Sequence, residues 1–463
     1  MAKKKSSTKK TIKTVKKISK KVSKNKSVQV LIFILIIVVL AVAAFLLKDY
    51  IFPKENNETS SNTTSTPISE VHSHEQAHTA EGIKYDNFQI HFMTLGNAST
   101  GDSVYIKAGS TDILIDAGSE MNSSTTIIDY VNNYCDDGKL EYVITTHGDS
   151  DHITGMFGTK KSSKNHKNES TTRDGILYYY EVETLIDFAY TNKTTTNIQN
   201  YFEARDYAIS KGTTHYTARQ CFDNLDGAKR SYTLDETYNI TMDVLYNKYY
   251  YELDNNDENN HSVCVMFNYN DHHFMLTGDL EDKGEQAMAA YYDRSTPEKT
   301  LPHVDLFKAG HHGSKTSSND CLLSLITPDI CCVCCCAGGS EYTPYSNNTF
   351  PTQEFIDRIA KYTDKVYVTS YIKEKESREQ SKYVFDDLNG TICVSFNGSE
   401  VGLWASNNLT KLKDSQWFNE TVYLDESGKI CSGSKQKDFF DENSSGVHSA
   451  PRRIWPENGV NNG

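Results

Sequence analysis

The stretch Thr146-His147-Gly148-Asp149-Ser150-Asp151-His152 places two imidazoles and two carboxylates within six residues, directly behind the apolar run Leu140-Glu141-Tyr142-Val143-Ile144-Thr145. A strand that ends in such a cluster delivers its side chains to one crevice at a sheet edge, where α/β folds assemble their ligands. Packed this closely, the four groups would repel or desolvate one another unless a cation joined them. A solvated turn with a chance run of polar residues is the competing reading. The donor set, nitrogen and oxygen together, favours a metal.

Two later segments repeat the pattern. Phe274-Met275-Leu276-Thr277-Gly278-Asp279 reads as a short buried strand ending in glycine and a carboxylate. Val304-Asp305-Leu306-Phe307-Lys308-Ala309-Gly310 runs into His311-His312-Gly313-Ser314. Three apolar strands, each ending in Asp or His, can bring those ends together only within a sheet. The sequence therefore describes one site.

These motifs, in this order, resemble the metallo-β-lactamase fold family, in particular the extracytoplasmic hydrolase domain of ComEC-type competence proteins. Gly101-Asp102-Ser103-Val104 is similar to the family's opening glycine turn, and Ile113-Leu114-Ile115-Asp116-Ala117-Gly118 to its next strand. His147 to His152 resembles an HxDxDH variant of the HxHxDH motif. Asn259-Asn260-His261-Ser262-Val263, Leu276-Thr277-Gly278-Asp279-Leu280, His311 to Ser318 and Asn389-Gly390-Thr391-Ile392 fill the later motifs. The likeness spans about residues 85 to 400. It implies an α/β fold, a metallo-β-lactamase-like αββα sandwich.

The resemblance also implies a ligand set. His147 and Asp149 would hold one metal, with His261 as a third ligand, while Asp151, His152 and His311 hold the second and Asp279 bridges the two. Asp149 stands where the family usually has histidine, and the added oxygen admits Mn²⁺ as well as Zn²⁺. Asp151 and His312 are the expected catalytic residues, His312 standing behind the ligands or facing substrate. Two divalent ions roughly 3.5–4 Å apart would activate water and polarise the oxygen of the bond under attack. Ser314, Lys315, Thr316 and Ser317, beside the start of a helix, would bind an anionic group and favour a phosphoester; a capping turn with a surface lysine is the alternative. Relatives usually carry Tyr-Gly-His-Pro further on. Here the chain reads Ser346-Asn347-Asn348-Thr349-Phe350-Pro351, with Phe350 in place of the histidine.

Charge is spread unevenly over the 463 residues. Residues 1–27 hold 12 Lys and no acid, which leaves 36 Lys and Arg against 61 Asp and Glu, a balance of −25 for the remainder. Val28 to Leu47 is an apolar run whose only polar member is Gln29. At ~1.5 Å per residue a helix of that length spans a bilayer core of ~30 Å. The lysine-rich tail before it stays cytoplasmic by the positive-inside rule, which puts the body outside. A cleaved signal peptide ending near Ala41-Val42-Ala43-Ala44 is the rival, but the run is long for one. The expected organisation is a basic tail over 1–27, a transmembrane helix over 28–47, a Ser/Thr/Asn-rich stalk over 48–84, the hydrolase domain over 85–400 and a C-terminal extension over 401–463. His72, His74 and His78 fall in the stalk, where nothing fixes their geometry.

Within the body, Thr125 to Tyr134, Asn197 to Ile209 and Ser318 to Ile326 have helical spacing, and Lys160 to Lys167 reads as a flap or loop. Cys331-Cys332-Val333-Cys334-Cys335-Cys336 reads as a buried parallel strand, with cysteine serving as a small apolar residue rather than a metal or redox cluster. An odd total of 11 cysteines argues against a complete disulfide framework. The implied function is a membrane-anchored, extracytoplasmic phosphodiesterase acting on nucleic acid or a phosphorylated envelope polymer. The alternatives are a β-lactam or lactone hydrolase and a non-catalytic binding module on the same fold. No obligate protein partner is implied.

Overall fold

Alternating core-facing side chains build two mixed sheets that face each other. The computed structural model describes residues 80–160, 173–339, 348–373, 384–424, 428 and 448–461. The basic tail, the apolar run 28–47, nearly all of the stalk with its three histidines, and residues 161–167 of the expected flap lie outside the described residues. Among those described, no helix is long and apolar enough to cross a membrane.

The larger sheet runs Glu81–Gly82, Val401–Ala405, Ile392–Phe396, Phe88–Phe92, Val104–Ala108, Thr111–Ile115, Lys139–Ile144, Glu181–Asp187, Thr214–Thr217. The second runs Val384–Asp387, Val366–Lys373, Ile330–Ala337, Leu306–Lys308, His272–Leu276, Val265–Tyr269, Ile240–Val244, Ser231–Asp235. Aromatic rings interlock between them: Phe88 meets Phe274 at 5.0 Å between centroids, and Phe396 meets Tyr269 edge-on at 4.9 Å. Such contacts favour the face-to-face arrangement beyond the area they bury. On the second sheet, Phe274 and Leu276 point into this inter-sheet core while Met275 packs with Leu322, Leu323, Phe355 and Ile356 of helices on the far side. The period-2 alternation of a strand buried on both faces produces that division.

The parallel part of each sheet positions the site. Thr111–Ile115 and Lys139–Ile144 are parallel neighbours in one sheet. His272–Leu276, Leu306–Lys308 and Ile330–Ala337 are parallel neighbours in the other. Their carboxyl ends lead to Asp116, the His147–His152 segment, Asp279 and the His311–His312 pair, so the motifs meet at one edge of the sandwich.

Helix Ser150–Phe157 begins inside the first motif and lies hard against the turn after Thr111–Ile115. Ala117 N–H donates to His152 O and Gly155 N–H to Ala117 O, each at 2.8 Å. A Cβ at Gly155 would collide with the Ala117 carbonyl, so only glycine permits this approach. Helices Ser123–Val131, Thr196–Ser210 and Asp320–Ile326 fall within one to three residues of the bounds read from spacing. Residue 400 is not a structural boundary: Val401–Ala405 pairs antiparallel with Ile392–Phe396 inside the larger sheet.

The cysteine-rich segment is the central strand Ile330–Ala337, buried along its whole length between two parallel neighbours. Burial raises the thiol pKa of every one of its cysteines. Thiol reagents should leave all five unmodified in native protein and label them after denaturation, as mass spectrometry will read. Rapid native labelling of several would contradict the buried strand.

Candidate metal centre

Three histidines turn their Nε2 atoms toward a group of carboxylates. His152 Nε2 lies 3.1 Å from Asp279 Oδ2 and 4.0 Å from Asp151 Oδ2. His312 Nε2 lies 3.2 Å from Asp151 Oδ2 and 3.1 Å from Asp279 Oδ2. These four residues each offer one donor atom within 4.8 Å of the others, the spacing of a single coordination sphere. His147 and Asp149 stand alongside, with His147 Nε2 3.7 Å from Asp149 Oδ2.

The other ring nitrogen of each histidine is committed. Asp116 Oδ2 accepts from His152 Nδ1 at 2.8 Å, and the Cys334 carbonyl accepts from His312 Nδ1 at 2.8 Å. Thr146 Oγ1 donates to Asp116 Oδ2 at 2.7 Å, which leaves its lone pairs to accept from His147 Nδ1 at 3.0 Å. Committed Nδ1 atoms fix ring orientation and tautomer, the usual support behind metal-binding imidazoles. His147 Nε2 and Asp279 Oδ1 are buried yet hydrogen-bonded to nothing, which a cation between them would remedy. The donor set of imidazole and carboxylate fits a divalent ion.

The carboxylates act on the three rings unequally. Burial alone would lower His152, but Asp279 and Asp116 hold it well above the usual imidazole range; Asp279 and Asp102 do the same for His312. Burial opposes ionisation of Asp279, yet His312 and His152 hold it well below the usual carboxylate range. Burial and the neighbouring His152 push His147 down to about 4, so that ring is neutral at pH 7 and its Nε2 lone pair is available.

Three residues that the motifs contain, but to which the sequence assigned no role, tie the centre together. Asp116 accepts from Thr146 N–H at 2.8 Å as well as from Thr146 Oγ1 and His152. Asp102 Oδ1 lies 3.1 Å from His312 Nδ1, and its Oδ2 lies 2.5 Å from Lys308 Nζ. Lys308 also donates to the carbonyls of Gly278 at 3.2 Å and Ala309 at 3.0 Å, joining the two ligand-bearing turns. A lysine inside the apolar run Val304 to Gly310 was the visible signal. An unpaired ammonium would be too costly to bury there, so it had to have an acidic partner.

The structure corrects three expectations. It is His312, not His311, that reaches the carboxylates. Both residues adopt left-handed backbone conformations, with φ 43° and 53°, and consecutive left-handed residues send the two side chains in different directions. His311 Nδ1 instead lies 2.9 Å from Glu281 Oε1. His261 also lies away from the cluster: its Nε2 accepts from Asp254 N–H at 2.9 Å, and its Nδ1 lies 3.3 Å from Glu258 Oε2. With both nitrogens engaged elsewhere it has no lone pair to offer.

The Ser314–Ser317 loop is the third correction, because its carbonyls and the amides that follow it are already used. Arg358 donates to the carbonyls of Ser314, Lys315, Ser317 and Ser318. Glu285 accepts from Ser318 N–H at 2.6 Å and Asn319 N–H at 2.8 Å, capping the helix start that was expected to face an anion. Ser314 and Ser317 are buried, Thr316 Oγ1 donates to Glu281 at 2.8 Å, and Lys315 Nζ donates to Asn348 Oδ1 at 2.7 Å. Burial pushes the Glu285 carboxyl up to about 7 against the pull of its Asn319 and Ser318 donors. A folded value above the unfolded one favours the native state fully below the unfolded pKa, and that contribution is lost as pH rises through about 7. Between pH ~4.5 and ~7 the wild type should therefore lose about 3 kcal/mol relative to its Glu285→Gln variant. Urea unfolding of both proteins across that range checks it, and parallel pH profiles would refute it.

Residues 96–176 match the profile of the Metallo-beta-lactamase superfamily. The matched stretch contains Asp151 and His152 of the clustered donors, so the profile covers the first ligand-bearing turn of the candidate centre. The chain is similar to Recombination protein 2 of Haemophilus influenzae, at 31% identity over 113 residues, which are 24% of this chain and 12% of that protein. The aligned part is thus a small share of that relative's length. Among solved structures, human tRNase Z, short form, aligns with 65% of this chain and 99% of its own at 12% identity and a TM-score of 0.28. A diphosphatase of the PhnP family aligns with 53% and 85% at 10% identity and a TM-score of 0.26.

Proposed function

We propose that the chain is a membrane-anchored, extracytoplasmic hydrolase that holds two divalent ions, Zn²⁺ or Mn²⁺, and cleaves phosphodiesters in nucleic acid or a phosphorylated envelope polymer. The observation that carries the reading is the convergence of His152 and His312, each with Nδ1 committed, on Asp151 and Asp279, with His147 and Asp149 alongside. Asp151, His152, Asp279 and His312 would hold one ion, with His147 and Asp149 beside them for a second. Bound there, the ions would supply Lewis acidity. The protein's own share is orientation: Asp116, Asp102 and Lys308 hold the ligand-bearing turns in register before any substrate arrives.

A phosphate would not find its cradle in the Ser314–Ser317 loop. Lys193 is the better placed cation: its Nζ stands 2.5 Å from Asp149 Oδ1 with the side chain 30% exposed. The name of the Haemophilus relative concerns recombination, which supports nucleic acid as one candidate. The committed 314–318 backbone gives the second reading, a β-lactam or lactone hydrolase, its support. The anchor rests on the run Val28 to Leu47 and the lysines before it.

Turnover of bis-p-nitrophenyl phosphate, single-stranded DNA, a cephalosporin and a lactone under Zn²⁺ or Mn²⁺ separates the readings. Phosphodiester cleavage is expected, with DNA cleaved weakly and in a salt-sensitive way because the acidic body repels a polyanion. Cephalosporin or lactone hydrolysis with no phosphodiester turnover would transfer the assignment to the second reading. Protease added to intact cells should remove the body and spare the lysine-rich tail, whereas a protected body would reverse the orientation.

A further inference from the structure

The C-terminal segment Pro451 to Val460 is not part of any motif, yet it holds the loop that packs on the histidine pair. Arg453 is 4% exposed and spends Nε and one terminal nitrogen on the loop Thr349–Pro351. Its Nε donates to Pro351 O at 2.7 Å, and one terminal nitrogen donates to Thr349 O at 2.6 Å and Thr349 Oγ1 at 2.8 Å. The other donates to Arg452 O at 2.6 Å. Next along the chain, Ile454 exchanges two hydrogen bonds with the Gln353 side chain. The residue enclosed by the Arg453 fork is Phe350, whose ring centroid lies 5.8 Å from those of both His311 and His312. Thr352 N–H donates to Gly313 O at 2.9 Å, closing the loop onto the turn that carries the pair.

We propose that Arg453 is a positioning residue of the metal centre, holding the Thr349-Phe350-Pro351 loop so that Phe350 backs His312 against Asp151 and Asp279. Burying a guanidinium costs several kcal/mol, and charge-assisted hydrogen bonds offset that only in good geometry. The fork therefore admits one loop conformation. His312 occupies a left-handed conformation that an ordinary residue keeps only when its surroundings enforce it. The Phe350 ring on one side and the Asp102 and Cys334 contacts on the other are that enforcement. A segment distant in sequence thereby becomes part of the site, as supporting residues behind metal ligands commonly are.

The inference rests on the metal-centre reading above, and Co²⁺ titration of the full chain tests the two separately. Wild type should bind Co²⁺ with visible d–d absorption; without such binding the metal reading itself fails. If wild type binds, Arg453→Ala should alter the spectrum and weaken one Co²⁺ about tenfold, the lower end of the range for lost support behind a ligand. Methylguanidinium should restore the wild-type spectrum by refilling the fork site. Phe350→Ala should give the same altered spectrum, and the double variant should go no further than either single one. An unchanged spectrum and affinity in Arg453→Ala, or effects of the two substitutions that add, would overturn the proposal. Should Arg453→Ala fail to fold, Arg453→Lys keeps the charge without the fork, and a wild-type Co²⁺ spectrum there overturns it equally.

Discussion

On the two-ion reading proposed above, His312→Ala should cost one metal ion, while His311→Ala should retain both. The substitution deletes an imidazole whose Nε2 lies 3.2 Å from Asp151 and 3.1 Å from Asp279. It also removes one partner of Asp102, leaving Lys308 at 2.5 Å and His152 at 3.9 Å. Loss of a first ligand from a four-donor site removes a large part of the binding free energy, so the expected outcome is a fall in stoichiometry rather than a modest change in affinity. His311, turned toward Glu281, has no such part. Elemental analysis after dialysis against metal-free buffer reads both variants directly. Equal metal content in the two would contradict the placement of His312.

Asp116→Ala should have the second large effect, and on two quantities at once. Its carboxylate holds Thr146 through the backbone and the hydroxyl, and holds the His152 ring through Nδ1. Removing a buried charged acceptor of this kind costs about 3 kcal/mol in stability. Releasing the imidazole should weaken metal binding about 10- to 100-fold. Asp116→Asn keeps one oxygen for Thr146 N–H but no carboxylate for the imidazole. It should therefore recover most of the stability and little of the affinity. Thermal unfolding and metal titration, run on both variants, separate the two roles; recovery of full affinity by asparagine would show that the charge on Asp116 is not needed.

The strand-then-ligand pattern was legible because it is local. Apolar runs before His147, before Asp279 and before His311 each require a strand, and the parallel connections between them place their ends at one edge. Gly155 and Gly278 fall where helix or side chain approaches the backbone too closely for a Cβ, so the motif spacing already encoded the contact. Asp116 was legible as part of a motif without a role, and Lys308 only as a lysine in an apolar run. Which acid meets which base depends on residues more than a hundred positions apart, as in the Lys308–Asp102 pair.

By itself the sequence determined that three apolar strands end in histidine or aspartate, and that the cysteine strand is buried. These follow from periodicity, burial and ligand chemistry within short windows. Only the tertiary structure decided which histidine of the His311–His312 pair turns inward, because two left-handed residues in succession are held by contacts from Asp102, Cys334 and Phe350. Only the tertiary structure showed the amides of Ser318 and Asn319 facing Glu285, and the His261 ring held by Asp254 and Glu258. A window of sequence names the groups that must find partners, but a buried polar atom takes whichever partner the packed chain brings within hydrogen-bonding distance.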